Sequence, residues 1–298
     1  MKAAAFAYHR PGSVAEAAQM LAEFGDDAKI LAGGQSLAPM LAMRLTSFEN
    51  LIDISRLDEL KDIDLRGNEL RIAAGTPHAL VGLDDEVADS VPLLTLSTPY
   101  IGHFQIRTRG TLGGAIAHAD PAAEYAAVAL ALDATMEATS TRGRRDIAAA
   151  DFFTGLWETT LATDEILTGV RFPVWGGRCG FAVEEFARRH GDFAIAGATV
   201  AVELDDDDRV SRCGIGLLGL GATPLRGVAG EAAAVGRPAD DVTAEEIGHL
   251  AMNGLSDIPA DLQGSADYRS RVGATMVARA WAAAVRNAAT SETEAIHA

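Results

Sequence analysis

Two short glycine segments constrain this chain more than anything else in its sequence. Ala32-Gly33-Gly34-Gln35-Ser36 follows the strand-like Lys29-Ile30-Leu31, and Thr111-Leu112-Gly113-Gly114 precedes Ala115-Ile116-Ala117-His118-Ala119-Asp120-Pro121. Glycine lets a backbone approach an anion closely and aim successive N–H groups at it, while the hydroxyls of Ser36 and Thr111 add uncharged donors. Taken singly, each segment reads better as a tight structural turn. Taken together, they point to two loops gripping one large diphosphate ligand. Neither is a G-x-G-x-x-G fingerprint or a G-x-x-x-x-G-K-[ST] loop, so the pattern is not that of a Rossmann or P-loop nucleotide site.

At 298 residues, 48% of them hydrophobic, the chain can bury a substantial core and is expected to divide into two or three compact units. Its 25 basic residues against 42 acidic ones leave a net charge of −17. That balance opposes a polyanion-binding surface and argues against nucleic acid as a partner. No run reaches the roughly 18 apolar residues of a membrane-spanning helix. The N-terminus leads into Tyr8-His9-Arg10-Pro11-Gly12 instead of a cleavable apolar segment, and a cytoplasmic location is expected. Cys179 and Cys213 have no CxxC partner and are expected to be small core residues. His9, His78, His103, His190 and His249 lack metal-ligand spacing, so no metal site is expected on this chain.

Ser13-Val14-Ala15-Glu16 is a capping box that opens an alanine-rich helix closed by Gly25, and a strand at 29–32 follows at once. Leu51-Ile52-Asp53-Ile54 and residues 69–74 read as strands, 76–96 as helical with acidic interruptions, and the region after Pro121 as an alanine-rich helix. Residues 134–140 and 165–172 follow, separated by a basic turn at Arg142-Gly143-Arg144-Arg145, and a boundary falls near 173–177. Beyond it, 181–186, 193–204 and 210–220 read as an antiparallel meander with a solvated turn at Asp205-Asp206-Asp207-Asp208. Two helices, 243–253 and about 268–286, complete the chain, and the polar residues from Ala288 are expected to fray.

Arg107 and Arg109 flank the second glycine segment; they either neutralise ligand phosphates or lie on the surface, and spacing does not choose. His118 and Asp120 lack a third group at nucleophile spacing, which leaves acid–base catalysis the weaker reading.

These residues also carry a family resemblance. The stretches are Ala32 through Met40, Leu51 through Ile54, Ile101 through Arg107, Arg109 through Gly114, Ala117 through Glu124, and Arg188-Arg189-His190-Gly191-Asp192-Phe193-Ala194, with Asp267-Tyr268-Arg269 near the end. In this order, over most of the chain, they resemble the FAD-binding medium subunits of the molybdenum hydroxylases. That group includes carbon monoxide, quinoline and nicotine dehydrogenases and the flavin domain of xanthine dehydrogenase.

The resemblance implies an α+β architecture. A vanillyl-alcohol-oxidase-like (PCMH-type) FAD-binding domain would occupy 1–176, with subdomains of about 1–56 and 57–176. A C-terminal domain of three antiparallel strands and a helical bundle would occupy 177–288, and 289–298 would form a frayed tail. It implies that Ala32, Gly33, Gly34, Gln35, Ser36 and Leu37, with Thr111, Leu112, Gly113, Gly114 and Ala115, hold the FAD pyrophosphate. Ile101, Glu124, Leu167 and Glu184 would complete the cofactor site.

Gln35 stands where the carbon monoxide enzymes usually have histidine, which leans toward N-heterocycle or aldehyde substrates. Ala115 replaces a common asparagine or serine, so its contact would come from the backbone. The implied role is electron transfer: a large molybdopterin subunit hydroxylates the substrate, the 2Fe-2S clusters of a small subunit relay electrons, and FAD on this chain delivers them to an external acceptor. The implied assembly is a dimer of heterotrimers, and no catalytic side chain is demanded of this chain. A stand-alone flavin oxidoreductase and an FAD-free scaffold are the alternatives.

Overall fold

The computed structural model describes the backbone of residues 2–295 and side chains through residue 290. Three sheets follow one another along the chain. The first is built from β1 (Ala7–His9), α1 (Val14–Phe24), β2 (Ala28–Leu31), α2 (Leu37–Met43) and β3 (Asn50–Asp53). Its strands run parallel in the order β1-β3-β2, so all three carboxyl ends open on the same side. Helix α1 forms as its capping box requires: Ser13 Oγ accepts from Glu16 N at 3.1 Å, and Gly25 closes the helix at φ 55°. Val14, Ala17, Ala18 and Leu21 recur on one stripe and pack with Ile52, Ile54, Leu57 and Leu60.

The second sheet is antiparallel, and its elements arrive in the order β4 (Ile63–Arg66), β5 (Glu69–Ala73), β6 (Thr135–Ser140), β7 (Gly143–Ala148), β8 (Phe153–Gly155), β9 (Glu158–Thr159) and β10 (Ile166–Pro173). The spatial order is β4-β5-β10-β6-β7, with β8 and β9 pairing apart as a small hairpin. Of the basic turn expected at 142–145, Arg142 lies in the turn and Gly143 to Arg145 begin β7, paired with β6 from Thr135↔Ala148 to Ser140↔Gly143. It is an edge strand exposed nearly throughout, so its sequence shows no apolar alternation.

Between β5 and β6 the chain makes α3 (His78–Val81), α4 (Asp85–Ser90), α5 (Pro92–Ser97), α6 (Phe104–Arg107), α7 (Leu112–His118) and α8 (Glu124–Ala131). The helical stretch expected over 76–96 is three short helices, because Asp84 caps α4 and Pro92 begins α5. From Tyr125 onward α8 is buried all round, and a further short helix, α9 (Ala149–Phe152), follows β7.

The third sheet contains β11 (Arg178–Phe186), β12 (Ala196–Leu204), β13 (Val210–Leu218) and β14 (Leu225–Arg226), antiparallel in chain order. The three expected strands are present, and the two-residue β14 adds a fourth. At the β12–β13 hairpin, Asp205 Oδ1 accepts from Asp207 N and Arg209 N, so the acidic run is a turn. Helices α10 (Val228–Ala234), α11 (Ala244–Ala251) and α12 (Ala266–Ala295) cover one face. Met276, Val277, Ala280, Trp281, Ala284 and Ala288 of α12 are buried in the core of this unit. The helix continues to Ala295, past the point where fraying was expected, since Ala288 still packs against the sheet. Among the described residues, no helix is long and apolar enough to cross a membrane.

Candidate functional site

The first glycine segment leaves β2 at the carboxyl end of the parallel sheet, the side on which open α/β sheets place their ligands. Gly34 turns the chain at φ 71°, which a side chain would strain. The N–H groups of Gly33, Gly34, Gln35 and Ser36 donate to no carbonyl among the described residues. They form a turn of free amides just before α2. Gln35 supports it by donating from Nε2 to Gly33 O at 3.1 Å.

The second segment differs from expectation. It is the first turn of α7, and its amides are already engaged. Leu112 N donates to Thr76 O at 3.0 Å, Gly113 N to Ala74 O at 2.9 Å, Gly114 N to Thr111 Oγ1 at 3.1 Å and Ala115 N to Thr111 O at 3.0 Å. Thr111 is therefore an N-cap residue, and its segment is a wall beside the free amides instead of a second set of them.

Close packing explains the glycines. A Cβ on Gly113 would stand 2.6 Å from Ala74 Cα, and one on Gly33 would stand 2.7 Å from Gly110 Cα and overlap the Arg109 carbonyl. At these two positions glycine lets protein backbone meet protein backbone. The two segments thus lie side by side, with Gly33 against Arg109–Gly110 and Gly114 beside Ala32.

A cleft of about 400 Å³ opens where they meet, lined by Ala32, Gly33 and Thr111 and by three cations, Arg56, Lys61 and Arg109. Tyr8, Asp53, Ser55 and Thr108 add polar groups to its lining. Asp53 accepts hydrogen bonds from Tyr8 and from Ser55 N. Burial works to raise its pKa, but these bonds, with Arg10 nearby, hold the carboxyl below its usual range. The Gly33 amide at the start of the free turn, the hydroxyls and three cations around one polar cleft fit a dinucleotide diphosphate.

The remaining expected residues lie outside this lining. Ile101 is half-buried, and its carbonyl accepts from Arg107 Nη1 at 3.1 Å, as does Gly102 O at 3.0 Å. Arg107 thus ties down a turn, whereas Arg109 faces the cleft. Glu124 begins α8, where desolvation, opposed by its own N–H and aided by Asp120, pushes its carboxyl up to about 7. Leu167 is buried in the core at the β10 bulge, and Glu184 lies opposite Ala198 on β12. Leu37 leads into α2. His118 stacks on Trp157, and Asp120 accepts from Trp157 Nε1 at 3.3 Å and from Ala122 N at 2.9 Å, so these two serve as packing and turn residues.

Tyr8, Asp53, Arg56 and Lys61 were not anticipated as site residues. Tyr8 lies within β1, Asp53 ends β3 and Arg56 follows it closely, whereas Lys61 comes just before β4, so no single local pattern marks them.

The model of the FAD binding domain in molybdopterin dehydrogenase matches residues 4–175, and that of the CO dehydrogenase flavoprotein C-terminal domain matches 181–284. The chain is 38% identical to the 6-hydroxypseudooxynicotine dehydrogenase complex subunit alpha of Paenarthrobacter nicotinovorans, covering 97% of each chain. It is 37% identical to the caffeine dehydrogenase subunit beta of a Pseudomonas species, covering 95% of this chain and 96% of the other. Among solved structures, a carbon monoxide dehydrogenase chain from Hydrogenophaga pseudoflava superposes with a TM-score of 0.92 at 36% identity, over 96% of this chain and 99% of that one. The chain belongs to the FAD-binding medium subunits of the molybdenum hydroxylases, the flavoprotein subunits of molybdenum-containing dehydrogenase complexes.

Proposed function

We propose that this subunit carries electrons for a complex whose large subunit holds molybdopterin and whose small subunit holds 2Fe-2S clusters. When bound, FAD would supply reversible two-electron chemistry, by which this chain would take electrons from a partner and pass them to an external acceptor. The observation that carries the reading is the cleft that Gly33, at the start of the free-amide turn, lines together with Arg56, Lys61 and Arg109. In this reading, Gly33 to Ser36 bind the pyrophosphate through N–H groups, the cations balance its charge, and Thr111 offers its hydroxyl. Ala32, Leu37, Leu112 to Ala115, Ile101, Glu124, Leu167 and Glu184 complete the surroundings of the cofactor.

The FAD-binding unit is proposed to span 1–176, with the C-terminal unit at 177–288. A cytoplasmic dimer of heterotrimers is the proposed assembly. The proposed substrate is an N-heterocycle or an aldehyde. Gln35 favours this over carbon monoxide, and so does similarity to enzymes named for caffeine and 6-hydroxypseudooxynicotine.

An absorbance titration tests the reading: the purified full chain should bind FAD non-covalently and turn yellow. A colourless protein that ignores added FAD overturns it. Copurification with metal analysis should find molybdenum and iron in the complex.

A further inference from the structure

Asp53 is out of place in a cleft built for an anion. It lines that cleft together with Arg56, Lys61 and Arg109, where a carboxylate repels a phosphate. Its place follows from sheet register. Asp53 pairs with Leu31 across β3 and β2, and β2 runs directly into Ala32 and the free-amide turn, so the carboxylate and those amides leave one end of the sheet side by side.

Both oxygens of this carboxylate are held by the protein. Oδ1 accepts from Ser55 N at 2.8 Å, which shapes the turn after β3, and Oδ2 accepts from the Tyr8 hydroxyl on β1. None of the three lining cations forms an ion pair with it among the described residues; Lys61 pairs instead with Asp58 at 3.1 Å. Desolvation opposes its charge, but the bonds from Tyr8 and Ser55 outweigh it and keep the carboxyl ionised at neutral pH.

An ionised carboxylate offers about four acceptor positions, of which these bonds use two. The rest are open to donors from a ligand. Within a dinucleotide the phosphates carry no donor and repel the carboxylate, whereas the ribose beside them carries two cis hydroxyls on a rigid ring. An acidic residue takes the ribose in other dinucleotide-binding sheets as well.

We propose that Asp53 receives the 2′ and 3′ hydroxyls of the adenosine ribose of FAD, so that the cleft reads the sugar as well as the diphosphate. The proposal rests on the FAD reading above. Charge agrees with it: three cations less one carboxylate leave two positive charges in the lining, and a dinucleotide diphosphate carries two negative ones.

Calorimetric titrations of the flavin-stripped full chain in EDTA test it with ADP, 2′,3′-dideoxy-ADP and inorganic pyrophosphate. Wild type should bind ADP about tenfold more tightly than the dideoxy form, as hydrogen bonds to a charged acceptor require. In Asp53→Asn, which keeps an acceptor for Ser55 N, that preference should shrink to about twofold. Inorganic pyrophosphate should bind this variant at least as tightly as wild type, because a negative charge has left the cleft. A merely structural role for Asp53 would weaken all three probes together.

Wild type that binds FAD but treats ADP and dideoxy-ADP alike overturns the proposal, and that comparison needs no variant. So does a preference that survives in Asp53→Asn, a loss of pyrophosphate binding alongside ADP, or a requirement for magnesium, which would make Asp53 a metal ligand. Wild type that binds no FAD overturns the cofactor reading itself.

Discussion

Gly33 lies directly against the carbonyl of Arg109, so the two glycine segments are held together by backbone contact before any ligand is involved. Overpacking is then the expected consequence of Gly33→Ala. The new methyl must displace Arg109 or Gly110, a strain of about 3 kcal/mol. Urea denaturation should show that loss, with FAD content falling in parallel. A variant that loses FAD at unchanged stability would instead assign Gly33 to close approach of the anion.

Arg107 and Arg109 should separate cleanly in mutation. Arg109 faces the cleft, so Arg109→Ala should weaken FAD binding by about tenfold with little change in melting temperature. Arg107 donates to Ile101 O and Gly102 O, so Arg107→Ala should lower the melting temperature through loss of that turn. Titration and thermal melts of both variants decide the assignment; equal effects on affinity would refute it.

Acid should loosen the second glycine segment through His78. This imidazole is buried beside Gly110 and the ring of Tyr125, with Nδ1 unpartnered. Burial, helped by Arg107, lowers its pKa from 6.5 to about 4. The unfolded chain therefore binds the proton first, and stability falls as pH drops from about 6.5 through 4, by about 3 kcal/mol in all. Chemical denaturation at pH 7, 5 and 4 should show the decline, and His78→Gln should flatten it.

The FAD-binding and C-terminal units are tied together through Arg226. It pairs with Asp133 after α8 and with the buried Glu231 at 2.8 Å, which also accepts from Ile215 N at 2.7 Å. Arg226→Met leaves Glu231 buried without its cation and should destabilise the chain by about 3 kcal/mol. Double replacement with Glu231→Gln should recover part of that loss in the same assay.

Local chemistry was legible in the sequence wherever one short segment carried all of it. The capping box at Ser13 and Glu16, the β2–glycine turn, the hairpin at Asp205 to Asp208 and the order of the family motifs needed no distant partner. Strand β7 was hidden because an exposed edge strand has no buried face to impose alternation. The free amides at 33–36 and the engaged ones at 112–115 look alike as sequence. Only the carbonyls of Ala74 and Thr76, brought in by β5, tell them apart.

The sequence by itself determined the family, through the order of its motifs, and the caps and turns at Ser13, Gly34 and Asp205, which follow from local dihedral preferences and short-range hydrogen bonds. Tertiary structure alone decided which polar groups share a cleft. Arg56, Lys61 and Tyr8 share a cleft with Gly33 and Arg109, residues that lie far apart along the chain. That proximity is set by core packing between distant segments, which no local pattern encodes.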